Sequence, residues 1–386
     1  MRISPVLPLL LLALGAVPAV AACDDKKPSD AARVDSGAAT DKNVTADPKL
    51  EKAIKAAASA SAAATEGPPP DGMFAAGVAD HRHPKGAPTT FEILSEGSDP
   101  KISLAPTADA SADAARASSY GPGMMEVSLE MGPRAPPLTI DLGMLILPGK
   151  KEEGGTDWIV AEVKKAQAGQ QQGGQLPPGT DKEFAAFEGS LLRVKVTADG
   201  RESDVNTLLG KDAKAELGII PETATEALAL DTVPLPGKPV GVGAQWIAES
   251  RMPLLGADTI CYRAFQVTGI DGDRVHLSLS VKAYAASRDV QITGVALPKG
   301  ATLEQFATES QGKLDLVRGE ILPRTSDIQQ RLVLVFSGPG GIQPPQQPGG
   351  QPGNILPVQL TSQATFVRGD EMRAAMAGHG GKAQPH

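Results

Sequence analysis

His81 and His83 flank Arg82 at a spacing that would put two imidazoles on one side of an extended strand, as a metal ion requires. No third ligand lies nearby, Pro84 follows at once and Arg82 sets a positive charge between the rings, so a solvated loop is expected and no metal site is assigned. Ser98-Asp99-Pro100-Lys101 and Ser310-Gln311-Gly312-Lys313 carry the letters of a Ser-x-x-Lys nucleophile. That chemistry needs the serine at a helix start with the lysine one turn on, and Pro100 and Gly312 oppose a helix. Gly210-Lys211 and Gly237-Lys238 lack the glycine-rich approach and the following hydroxyl of a phosphate loop. Asp271-Gly272-Asp273 could hold calcium weakly, yet a hairpin turn already explains those residues. His276 alternates with apolar neighbours and is expected to face outward, while His379 and His386 fall in the tail. The sequence contains no His-Glu-x-x-His, Cys-x-x-Cys or Gly-x-Ser-x-Gly, so no catalytic residue and no cofactor site is assigned.

The most informative segment is the N-terminus. Arg2 is the only charge before Cys23, and an apolar run from Val6 to Val20 ends in small residues, the pattern of a secretory signal peptide over residues 1–22. Its exit, Val20-Ala21-Ala22-Cys23, resembles the bacterial lipobox. The resemblance implies cleavage between Ala22 and Cys23, diacylation of the Cys23 thiol and acylation of the new α-amino group. The alternative is ordinary cleavage after Ala19-Val20-Ala21, which leaves a soluble periplasmic protein. Each buried CH₂ of an acyl chain contributes about 0.8 kcal/mol, so two or three chains anchor a protein firmly. The expected partner is therefore a membrane, reached through the N-terminal lipid, with the domain in the periplasm. Asp24 resembles an inner-membrane retention signal of enteric bacteria, and the choice between inner and outer membrane stays open. With Cys23 lipidated, Cys261 has no intramolecular partner and reads as a buried, unreactive thiol. Without lipidation, a Cys23–Cys261 bridge becomes available.

Composition narrows the remaining classes. The chain of 386 residues has 37 Lys+Arg against 45 Asp+Glu, a formal charge of -8, and only 8 Phe, 3 Tyr and 2 Trp. Neither a basic footprint nor a set of stacking platforms is present, so nucleic acid is excluded as an expected partner. Residues 23–70 comprise the lipidated cysteine and a nearly neutral tether without aromatics, which cannot bury enough apolar surface to offset its ordering entropy. A coil of the 47 residues 24–70 would span about 35–40 Å. Leu50 and Ile54 in an Ala-rich run suggest a transient helix there.

Residues 71–370 are expected to form a β-rich domain. Period-two alternation runs through 125–131, 192–196 and 275–282, and Asp199-Gly200 and Asp271-Gly272 mark hairpins. The fold class is mainly β: a large antiparallel curved sheet or half-barrel, with one or two helices, placed between Asp212 and Leu230 and around 182–187. A shift of 123 residues lays Gly189-Ser190-Leu191 on Gly312-Lys313-Leu314 and Ser203-Asp204 on Ser326-Asp327, which admits two similar halves, 88–210 and 231–370. Gln167–Gly179 and Ser337–Pro357 read as exposed loops, and residues 371–386 as a flexible tail.

Pro234-Leu235-Pro236-Gly237-Lys238-Pro239-Val240-Gly241-Val242-Gly243-Ala244-Gln245-Trp246 resembles a segment of uncharacterised β-rich bacterial envelope lipoproteins, carried by Pro236, Pro239, Val240, Val242, Gly243 and Trp246. The resemblance implies a sheet on both sides of the segment and brings no activity with it. Physically, the prolines enforce an extended entry, Gly243 permits a tight turn, and Trp246 is expected in the core. Together these features point to a lipid-anchored, non-enzymatic β domain that binds a hydrophobic ligand or an envelope protein. A structural or interaction lipoprotein without a small ligand is the alternative, and a hydrolase whose residues meet only in the fold is the third class.

Overall fold

In the computed structural model, which describes residues 48–60, 71–75, 77–105, 123–131, 138–147, 156–168, 179–292, 297, 300–337 and 355–369, the alternating segments become twelve strands. They are β1 (Thr90–Ser95), β2 (Gly123–Met131), β3 (Leu138–Leu147), β4 (Thr156–Ala168), β5 (Leu191–Thr197), β6 (Glu202–Leu208), β7 (Gln245–Leu254), β8 (Ala257–Asp271), β9 (Arg274–Ala285), β10 (Thr302–Val317), β11 (Thr325–Ser337) and β12 (Ile355–Arg368). All pair antiparallel in one open sheet of order β1-β7-β8-β9-β10-β11-β12-β2-β3-β4-β5-β6. Two meanders, β2–β6 and β7–β11, thus lie in one sheet with β12 between them, and the 123-residue shift lays β2, β3 and β6 on β7, β8 and β11 while β4 and β5 overlap β9 and β10 only in part.

Alternation decides which side each residue faces. Leu279, Val281, Leu314, Ile328, Leu332, Ala364 and Phe366 are buried on one face, and they join residues of β2–β5 in a single apolar core. Curling brings the residue just before β1 against the start of β6: the Thr89 N–H donates to the Glu202 carbonyl at 2.8 Å. No ladder follows, so the sheet remains open.

The hollow of the curl holds a helix. α-Helices α1 (Pro48–Ala60), α2 (Val78–Arg82), α3 (Thr180–Ala185) and α4 (Ile219–Asp231) are described, the last two where helices are expected. Every residue of α4 except Glu222 is buried, as a helix enclosed on all sides must be. Its side chains and last carbonyls bond to Thr207 of β6, Arg263 of β8 and Ser326 of β11, strands spread across the sheet. Thr223 and Thr225 satisfy their hydroxyls within the helix, on the Ile219 and Pro221 carbonyls.

On the opposite, outer face, α1 covers part of β7–β9. Ile54 and Ala58 pack with Phe74, Ile260, Tyr262, Ala264 and Tyr284 in a second, smaller core. Arg82 closes the C-terminal end of α1, donating to the Ala57 and Ala58 carbonyls at 2.5 and 2.7 Å, and lies over the rings of Phe74 and Tyr262. α1 falls inside the stretch expected as tether, at the place of the transient helix, and it is docked.

Three expectations change. The solvated loop at His81–His83 is instead α2 and its cap: His83 is only 2% exposed, near Glu249 of β7, because Arg82 and its neighbours anchor α1 to the sheet. More than two helices form, since the five-residue α2 has too little periodicity to be visible. Gln167 extends β4, and Ser337 and Pro357 belong to β11 and β12. Pro357 is tolerated because β12 pairs with β11 alone at that point and meets β2 only from Leu360 onward. Residues 169–178 and 338–354 of the expected loops, and the expected tail 371–386, lie outside the described residues, as do Ala22 and Cys23.

Candidate functional site

The chemistry-bearing motifs are taken up by structure. Ser310 faces the core and Lys313 the outer face, so that pair cannot meet. Ser98 donates to the Val242 carbonyl at 3.1 Å and Lys101 to Glu96 at 2.7 Å, each engaged elsewhere. His276 does face outward, between Asp315 at 2.5 Å and Asp271 at 3.0 Å, and those two hydrogen bonds hold its imidazole above the usual histidine range. Gly272 makes the β8–β9 turn with φ 64°. Among the described residues no group of three His, Cys, Asp or Glu could hold a metal ion. Cys261 is free and buried, and burial pushes its thiol up to about 12, which keeps it protonated and unreactive.

The Pro234–Trp246 segment folds on itself. Trp246 is fully buried, stacks on Phe265 with ring centroids 5.3 Å apart, and its indole N–H donates to the Pro234 carbonyl at 3.0 Å. Gly243 turns with φ 83°, and a Cβ on Gly241 would meet the Ser98 carbonyl at 1.7 Å, so the backbone of 96–102 can pack there only against glycine.

Two polar regions were not legible as sites. The first lies inside, where Arg263 of β8 is wholly buried and pairs with Glu202 of β6. It also donates to the Ala229 and Thr232 carbonyls at 3.0 and 2.9 Å, placing a cation at the C-terminal end of α4. Glu202 accepts from Thr89 at 2.6 Å and Thr232 at 2.7 Å as well. Farther along α4, Glu226 accepts from the Leu255 N–H at 2.7 Å, and burial pushes its carboxyl up to about 8. Asp231 accepts from Ser326 at 2.5 Å, and burial pushes it up to about 7. The visible signal for Arg263 is a lone cation in the apolar run Ile260-Cys261-Tyr262-Arg263-Ala264-Phe265.

The second region is a groove of about 420 Å³ on the outer face, bounded by Glu51 and Ile54 of α1 and crossing β9, β10 and β11 to reach Thr361 of β12. Register builds its floor. Arg331 stands opposite both Glu309 and Thr361, one step along the strands Gln311 stands opposite both Ser280 and Gln329, and Gln329 stands opposite Gln363. A smaller recess continues past Gln311 and Gln329 to Lys313 and Asp327. Arg331 Nε and Gln311 Oε1 are shielded from solvent without a partner among the described residues. Glu51 is occupied by Lys55 at 2.9 Å, a hydrogen bond that holds its carboxyl below the usual range, with a weaker pull from Lys282. No residue reading singled out this set, because the strands that carry it are joined only by pairing.

The chain matches no known family and no curated protein. Its site must be judged on its own chemistry.

Proposed function

We propose that the protein is a lipid-anchored component of a bacterial cell envelope whose non-enzymatic β domain binds another envelope component on the outer face of its sheet. The observation that carries this reading is the groove beside α1, where Lys282, Glu309, Gln311 and Arg331 line a recess of ligand size while α4 occupies the hollow on the other side. Cys23, with cleavage after Ala22, supplies the membrane anchor, inner or outer, and the domain works in the periplasm. The resemblance of the Pro234–Trp246 segment to envelope lipoproteins agrees with that placement.

A photo-cross-linking side chain in place of Gln329, in the full chain expressed in a bacterial envelope, tests the surface. A discrete adduct at that position, with none when the exposed Lys211 carries the same group, is expected. Equal labelling at both positions, or none at either, overturns the reading. Cys23→Ala should abolish acyl labelling, and labelling that persists removes the anchor.

A second reading, a hydrophobic guest that displaces α4, draws on the helix's two buried carboxyls, Glu226 and Asp231, each with one oxygen lacking a partner among the described residues. Native mass spectrometry of the gently purified protein separates the two. A stoichiometric lipid-sized mass favours the guest, and a bare mass favours the outer face.

A further inference from the structure

The groove beside α1 has a lining specific enough to name its ligand class. Two cations, Lys282 and Arg331, flank one carboxylate, Glu309, on adjacent strands. Adjacent strands lie roughly 4.8 Å apart, so all three charges fall within reach of one small molecule. Among the described residues, none of the three side chains forms an ion pair or hydrogen bond, although Glu309 and Arg331 stand directly opposite each other. The next row along the strands offers two primary amides, Gln311 and Gln329, each both donor and acceptor.

Several ligand classes fit poorly. Glu309 among the cations opposes a polyanion, and the cations oppose a polycation. A sugar ring would find no aromatic platform, since no Phe, Tyr or Trp lines the groove. An acyl chain would meet two apolar residues, Ile54 and Val281, among eleven lining residues with polar or charged side chains. A molecule with a carboxylate, an ammonium and amide groups between them answers every feature.

We infer that the groove between α1 and strands β9–β12 binds a short zwitterionic peptide. Arg331 holds its carboxylate, Glu309 one strand away its ammonium, and Gln311 and Gln329 in the next row its backbone amides, so the peptide lies bent across β10 and β11. The planar guanidinium of Arg331, with Nε shielded from solvent, suits two parallel bonds to a carboxylate. The inference rests on the outer-face reading above and gives it a substrate class. Because Glu51 and Ile54 form one wall, occupancy of the groove also steadies α1, the element that follows the membrane tether.

Trialanine with free termini, titrated calorimetrically into the full chain at low salt, is the test. Saturable binding is expected, weakened by at least about tenfold when the peptide is C-amidated or N-acetylated, as loss of one charge-assisted contact predicts. Arg331→Gln and Glu309→Gln should each weaken the free peptide similarly, while Lys211→Gln leaves it unchanged. Absence of saturable heat, or equal affinity for free and blocked peptides, overturns the inference. The blocked peptides need no variant, so a folding defect in Arg331→Gln would not obscure the answer. If trialanine fails while the cross-link at Gln329 persists, the peptide falls and the outer-face reading stands. Loss of the cross-link takes both.

Discussion

Two arginine–glutamate pairs of this molecule, Arg263 with Glu202 and Arg331 with Glu309, use the same side chains differently. Inside, Arg263 and Glu202 are paired, fully desolvated, and further satisfied by Thr89, Thr232 and the last carbonyls of α4. Outside, Arg331 and Glu309 face each other across β10 and β11 without bonding. A buried charge is tolerated only when its partners are built in, whereas a half-exposed one can be left for a partner that arrives. The interior pair joins β6, β8 and α4 into a scaffold. The groove pair is placed by that scaffold and contributes little to it.

The largest expected effect breaks this comparison if it is wrong. Arg263→Met leaves the Glu202 carboxylate buried without its cation and frees two carbonyls at the end of α4, and should cost about 3–5 kcal/mol in urea denaturation. Glu202→Gln added to it should recover part of the loss, because the stranded charge is then gone. Arg331→Met, by the same measurement, should stay within about 0.5 kcal/mol of the wild type. Comparable losses at the two arginines would mean that the groove is scaffold too.

A pH series sharpens the interior half of the contrast. Glu226 has a folded-state pKa near 8 against 4.5 for the free side chain. Below the lower value both states carry the proton and burial of the carboxyl costs nothing extra. As pH rises, the unfolded chain releases a proton that the folded chain retains, so stability falls until the higher value is passed. Asp231 adds a fall of the same sign that ends near 7. Glu226→Gln removes the first of these falls and keeps an acceptor for the Leu255 N–H. It should match the wild type at about pH 4 and exceed it by roughly 2–4 kcal/mol at about pH 9. An equal gain at both values would show that packing, not ionisation, is what the glutamate costs.

What the sequence makes visible follows from how local each cause is. The alternation of Val275–Lys282, the Asp-Gly turns and the Ala/Leu-rich stretch of α4 are properties of a few consecutive residues, and each appears where its pattern places it. Trp246 is legible as core for the same reason. Burial of His83 is not, because it depends on Glu249, which comes near only when α2 docks. The groove is hidden more deeply. Glu51, Lys282, Glu309 and Arg331 are brought together by a docked helix and by the registers of three strands, and a shift of one residue in β10 would turn Glu309 into the core.

The smallest effect concerns the boundary between the two regions, the helix α1. Its hold on the sheet comes from Ile54 and Ala58 against Tyr262 and Tyr284 and from Arg82, whose guanidinium caps two carbonyls of the helix end. Arg82→Gln keeps a donor but loses the charge and the contact with two rings, which should weaken docking by about 1–2 kcal/mol. Nothing in the interior depends on this contact, so the global unfolding midpoint should move little. Proteolysis between Lys49 and Lys55 should instead accelerate, because cleavage reports the local opening of α1. If Arg82→Gln lowers the global midpoint as much as it speeds local cleavage, α1 belongs to the scaffold. If only cleavage changes, α1 is a separately held wall of the groove, and weaker trialanine binding in the same variant would show that the wall and the site act together.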